Sequence, residues 1–313
     1  RGRGDRGDSG GGPLVTTATR SRARTLVRVG YLLKLSRPRF WPYLAGPVVV
    51  GVAGAAASVP ELFAPINFLL FGFFLVPANV QLYGVNDVFD QDIDEENPKK
   101  EDKEVRYGGD RLVPAAVILS SLAGLALFPL VSRVAWPYLV AYFLLAVEYS
   151  APPFRFKTTP FLDSVSNGLY ILPGAAAYAV VAGSHPPLSA VVGAWLWSMG
   201  MHTFSAIPDI EPDRAAGIET TATVLGETRT YAYCGLMWLA AAVAFGFLDT
   251  RIALPLLAYP VVVFGIYWSN VPVDRAYWWY PALNTVVGAL LTMGLLTRIV
   301  PPEAVLPLSP IPI

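Results

Sequence analysis

The chain has 313 residues, of which 54% are hydrophobic and 15% charged, and its mean hydropathy is +0.48; a soluble domain of this size would carry more charge, so composition points to a protein embedded in lipid. The 23 basic and 23 acidic residues cancel, which leaves no global field to attract nucleic acid or an acidic polymer. The single cysteine, Cys234, lies in an apolar run, which rules out an internal disulfide or thiolate metal cluster and predicts an inert, packed thiol.

Residues 1–30 combine glycine, serine and arginine without hydrophobic periodicity or a following signal-type apolar core, and are expected to form a disordered cytosolic tail. From 31 to 313 the pattern predicts one membrane domain. Nine apolar spans are drawn at 40–59, 65–87, 113–131, 136–149, 162–182, 188–207, 231–248, 252–270 and 280–298. The expected architecture is therefore all-α and polytopic. Twenty of the 23 Lys and Arg fall on the N-terminal side of this layout, leaving only Arg133, Arg251 and Arg298 opposite. By the positive-inside rule the N-terminus faces the cytoplasm, together with the connections 88–112, 150–161 and 208–230.

Two of those connections are acidic. The first runs Asn86-Asp87-Val88-Phe89-Asp90-Gln91-Asp92-Ile93-Asp94 off the inner end of the second span; on a helix, Asn86, Asp87, Asp90 and Asp94 lie within an arc of about 100°. Carboxylates packed beside a hydrocarbon core repel one another and lose hydration, and a divalent cation relieves both costs. A calcium-binding loop fails as an alternative, because its sixth position needs glycine and here is Glu95, with Pro98 at the ninth. A solvated acidic loop accounts for Glu95, Glu96, Glu101, Asp102 and Glu104 among their lysines, but not for Asn86, Asp87 and Asp90.

The second acidic connection reads Asp209-Ile210-Glu211-Pro212-Asp213-Arg214 after the sixth span and places Asp209 and Asp213 one turn apart. Two acidic helix ends suit Mg²⁺ ions whose remaining oxygen ligands come from a diphosphate. His202, seven residues before Asp209 and on nearly the same face, is a candidate for a final proton or for the acceptor pocket, with a packing histidine as the alternative. Asn167, beside Asp163 and Ser166 in the fifth span, either faces a cavity or hydrogen-bonds another helix.

The spacing Asn86-Asp87-x-x-Asp90-x-x-x-Asp94, then Asp209-x-x-x-Asp213-x-x-x-Gly217-x-x-Thr220, resembles the UbiA superfamily of intramembrane prenyltransferases over about residues 35–298. The connection Glu148 to Lys157 resembles that family's Tyr-Ser-x-Pro-Pro-x-Arg-x-Lys element. The resemblance implies nine helices around a central cavity, Mg²⁺ dependence, an allylic diphosphate donor and a lipophilic acceptor entering from the bilayer. It implies metal and diphosphate roles for Asn86, Asp90, Asp94, Asp209 and Asp213, with Asp87 beside them, and substrate-binding roles for Tyr149, Arg155, Lys157 and Arg214. The stretch Val105 to Arg111 departs from the Arg-Pro pair of many members, so which arginine meets diphosphate stays open.

The stretches 161–170 and 201–209 look like those of archaeal lycopene elongases, which implies dimethylallyl transfer to lycopene in carotenoid synthesis, with hydration as an added step. Prenyl transfer to a quinone precursor or an archaeal glycerol-phosphate lipid is the neighbouring alternative. A transporter could also place carboxylates at broken helices, but it has no need of this aspartate spacing.

Overall fold

The computed structural model describes residues 30–90, 109, 111–269 and 271–301. The expected tail, apart from Gly30, and the stretch holding Asp92, Asp94 and the acidic loop lie outside these residues. Every regular element among the described residues is helical. The longer ones are α1 (Trp41–Ala55), α2 (Pro65–Leu75), α3 (Pro77–Phe89), α4 (Leu112–Leu125), α5 (Trp136–Glu148), α6 (Leu162–Ser166), α7 (Leu172–Ala182), α8 (Leu188–Ser205), α9 (Ile210–Ala215), α10 (Thr221–Leu225), α11 (Glu227–Gly246), α12 (Thr250–Leu256), α13 (Ala258–Trp268) and α14 (Val273–Leu296).

Each apolar span of the sequence becomes helix, but three break where the sequence offers a reason. Pro77 cannot donate an amide into the preceding turn, and the chain departs from helical geometry at Val76 between α2 and α3. Leu257 separates α12 from α13, just after Pro255. Between α6 and α7 the backbone tightens into a 3-10 stretch, Asn167–Ile171. Helices α11 and α14 begin before the apolar windows that predict them, because their first turns carry the polar residues Glu227 and Asp274, which favour a helix N-terminus but lower hydropathy. Among the described residues, five helical stretches, Val59–Phe89, Leu112–Leu130, Leu162–Ala182, Thr250–Trp268 and Val273–Leu296, are long and apolar enough to cross a membrane.

Large apolar side chains such as Phe63, Leu119, Val261 and Trp268 point outward, as expected where lipid is the surrounding solvent. With no hydrophobic gain from burying such groups, helices associate through close packing of small residues. Helix α7, LPGAAAYAVVA, shows this: a Cβ added to Gly51 of α1 would stand 2.1 Å from the Gly174 carbonyl oxygen, and one on Gly174 would stand 2.6 Å from that of Pro47. Only paired glycines let these backbones meet.

Among the described residues, the two larger of three buried clusters fill most of the bundle. One gathers Leu44, Leu70, Phe74, Leu139 and Tyr142 from α1 to α5; the other gathers Phe204, Trp238, Tyr259 and Tyr280 from α8 to α14, with the Phe204 and Tyr280 rings stacked at 4.5 Å. Helix α14 returns to α1, where Arg39 donates to the Trp278 carbonyl at 2.8 Å and Arg298 to that of Gly54 at 2.8 Å. Helices α1 and α14 thus close the bundle. Between the clusters lies a cavity of about 170 Å³. Cys234 is fully buried in the second cluster, the packed thiol that its apolar context predicts.

Candidate active site

Helix α3 buries three polar side chains, Asn79, Gln81 and Asp87, on different faces. It ends at Phe89 with Asp90 as C-cap, and Asp94 lies outside the described residues. The first motif divides its partners. Asn86 and Asp90 face the loop after α5, whereas Asp87 pairs with Arg37 at 3.2 Å.

That loop doubles back sharply. Arg155 adopts a left-handed conformation, φ 42°, and the amide of Lys157 returns to the Tyr149 carbonyl at 3.1 Å. The turn presents two cations to α3. Arg155 donates to Asp90 Oδ1 at 3.0 Å; Lys157 donates to Asp90 Oδ2 and, at 3.1 Å, to Asn86 Oδ1. Ser150 adds a hydroxyl to Asn86 Oδ1 at 3.0 Å. Arg37 is also left-handed, φ 49°, so both arginines that meet α3 carboxylates hold a backbone conformation costing a non-glycine residue on the order of 1 kcal/mol. Local strain is sustained here by the ion pairs it makes possible.

The 3-10 stretch forms a second polar centre. Asp163, with no exposed side-chain surface, lies 3.6 Å from His202 Nε2. It also accepts the Thr221 amide at 3.1 Å and the Thr221 hydroxyl, which ties α6 to α10. Asn167 donates from Nδ2 to the Asp163 carbonyl at 2.7 Å, its own carbonyl accepts from Ser198 of α8, and it lines the cavity. Tyr149 meets the His202 ring edge-on, with centroids 6.0 Å apart.

The second motif is a 3-10 turn, Ile207–Asp209, leading into α9. The Asp213 carbonyl accepts the Ile218 amide at 2.8 Å, and a capping box between Thr220 and Thr223 starts α10. Arg214 donates to Glu211 at 2.9 Å and to the Thr223 carbonyl at 2.8 Å, bracing this connection. Among the described residues no three His, Cys, Asp or Glu side chains gather as a metal group.

The cavity lies between these centres. Arg37, Phe40, Tyr43, Tyr83, Tyr170 and Tyr277 line much of it, with His202 and Ser205 from α8. The Arg37 guanidinium stands 4.6 Å from the Tyr83 ring centroid. Aromatic faces of this kind stabilise a cation through the ring quadrupole while excluding water. Ser150 stood within a recognised motif, but the roles of Arg37, Asp163 and Thr221 were not read from the sequence. For Asp163 the signal was present: an ionisable residue within an apolar span is a functional candidate.

Would these residues suit a divalent metal? Asn86 Oδ1 and Asp90 Oδ2 converge on one ammonium nitrogen, that of Lys157. Two hard oxygen donors aimed at a single cationic centre fit an oxygen-seeking ion.

Comparison with known proteins shows the family and the fold. The model of the UbiA prenyltransferase family matches residues 44–295. A lycopene elongase/hydratase of Haloferax volcanii is 67% identical over 87% of this chain and 91% of its own length, and one of Halobacterium salinarum is 62% identical over 84% and 96%. Among solved structures, a UbiA homologue of Archaeoglobus fulgidus bound to GPP and Mg²⁺ superposes with a TM-score of 0.66 at 20% identity, over 85% of this chain and 99% of that one. A second structure, an apo UbiA homologue of Aeropyrum pernix, gives 0.64 at 20% identity over 83% and 98%. The chain is a helical integral membrane enzyme and belongs to the UbiA prenyltransferase family.

Proposed function

We propose that this enzyme transfers a dimethylallyl group from its diphosphate to a terminal alkene of lycopene in carotenoid synthesis. The observation that carries the acceptor assignment is the character of the cavity: half of its described lining residues are aromatic, and the one Lys or Arg among them, Arg37, pairs with Asp87. An acidic ring or a phosphate would call for a cation there, whereas a hydrocarbon does not. The names of the relatives, lycopene elongase/hydratase, support the same reading. A volume of about 170 Å³ gives room for a short prenyl group and one end of a long acceptor.

Asn86, Asp90, Asp94, Asp209 and Asp213 would hold Mg²⁺, which when bound supplies charge neutralisation for the leaving diphosphate. Arg155 and Lys157 contribute donors to the same anion. Ionisation of the allylic C–O bond sends its electron pair to diphosphate, and the aromatic walls hold the delocalised cation away from water. Both aspartate motifs and the Arg155 loop face the cytoplasm in this reading, supported by the 20 basic residues on that side.

Membranes containing the enzyme, given dimethylallyl diphosphate and lycopene, should consume lycopene and yield a product longer by one or two five-carbon units, while 4-hydroxybenzoate stays unchanged. Prenylated hydroxybenzoate without an elongated carotenoid, seen by chromatography with mass detection, would move the enzyme to the quinone branch.

A further inference from the structure

The metal and diphosphate chemistry leaves the second polar centre unused. Asp163 is a carboxylate with no solvent contact, set in an apolar span. Burying it is costly unless it is paired and hydrogen-bonded. Its partners answer that need: Thr221 gives both an amide and a hydroxyl, and His202 lies beside Oδ2. Thr221 also accepts the Phe161 amide at 2.7 Å, so the carboxylate is fixed from two elements. His202 in turn lines the cavity, and its ring is held edge-on by Tyr149.

We propose that Asp163 is the positioning residue that makes His202 the proton acceptor of the terminal step. Facing the carboxylate through Nε2, the neutral ring keeps its proton on that nitrogen and leaves Nδ1 as its basic site; the carboxylate then stabilises the imidazolium that forms. The chemistry rests on the reaction proposed above. The acceptor's π electrons form the new C–C bond to the dimethylallyl carbon and leave a tertiary cation on the acceptor. That cation is resolved by loss of a neighbouring C–H proton, its bonding pair becoming the new alkene, or by addition of a water lone pair followed by loss of an O–H proton. In either case one proton departs, and His202 Nδ1 takes it. Nothing is oxidised or reduced. The acid-base pair is thereby separate from the residues that bind the donor.

The test uses the full-length enzyme in membranes and four proteins: wild type, Asp163→Asn, His202→Gln and the double variant. Each is assayed for lycopene turnover, ratio of elongated alkene to hydrated product, and donor KM, with a thermal melt in detergent as the fold control. His202→Gln should lower turnover at least tenfold with donor KM within about twofold of wild type. Asp163→Asn should do the same, and the double variant should be no slower than His202→Gln alone, because residues acting as a unit are strongly non-additive. Wild-type turnover and product ratio in His202→Gln would overturn the proposal, as would losses that multiply in the double variant. His202→Gln, at a position touched by solvent, keeps the question open to refutation even if Asp163→Asn fails to fold. A wild-type enzyme unable to elongate lycopene overturns the acceptor reading and this step with it, whereas active wild type with an indifferent His202 removes this step alone.

Discussion

The Lys157 ammonium donates to Asp90 Oδ2 while standing 3.1 Å from Asn86 Oδ1, so one cation holds together the two described oxygen ligands expected of the first motif. In the proposed reaction the same ammonium would also donate to the diphosphate. Replacing Lys157 with Met removes a charge-assisted donor worth roughly 1.5–3 kcal/mol. Donor KM should rise about tenfold or more, measured with labelled dimethylallyl diphosphate at saturating acceptor. An unchanged KM would show that Lys157 serves only to hold α3.

Arg37 and Asp87 predict a stability effect. The carboxylate is 3% exposed and the guanidinium 19%; removing one partner of a buried pair costs about 3–5 kcal/mol, more than removing both. Arg37→Met should therefore lower the apparent Tm in detergent further than the double variant with Asp87→Leu. The reverse order would argue that the pair contributes little to folding.

Metal dependence is tested at both motifs. Asp90→Ala and Asp209→Ala should each abolish transfer while leaving the protein inserted and folded, and chelation should stop the wild type until Mg²⁺ or Mn²⁺ is restored. Calcium should substitute poorly, since octahedral coordination shared with phosphate favours the smaller ion. Undiminished turnover after thorough chelation would remove metal from the mechanism.

Helix packing supplies a contrast between two glycines. Gly51→Ala sets a methyl carbon 2.1 Å from the Gly174 carbonyl oxygen, whereas a Cβ at Gly72 meets nothing within 4 Å. The first should displace α1 from α7 and reduce the yield of folded protein. Gly72→Ala should be neutral or gain a few tenths of a kcal/mol from helix propensity. Size-exclusion profiles and thermal melts distinguish the two.

Apolar stretches with proline and charge at their ends placed the helices, because lipid tolerates backbone only when its amides are satisfied internally. The aspartate spacing and the Tyr149 to Lys157 element likewise identified the family, since carboxylates at helical intervals advertise a cation within a short segment. Local sequence could not show that Asp87 turns to Arg37, that Arg214 braces its own loop, or that the 162–182 span tightens at Asn167 where Gly168 makes room for Trp195. Those choices depend on residues far apart in the chain. Asp163, His202 and Thr221 show the division most plainly: each was visible as a residue type, but only the packing of α6, α8 and α10 brought a buried carboxylate, its clamp and an imidazole together. Periodicity and charge are written in short segments, whereas the pairing of buried polar groups is decided by which helices touch.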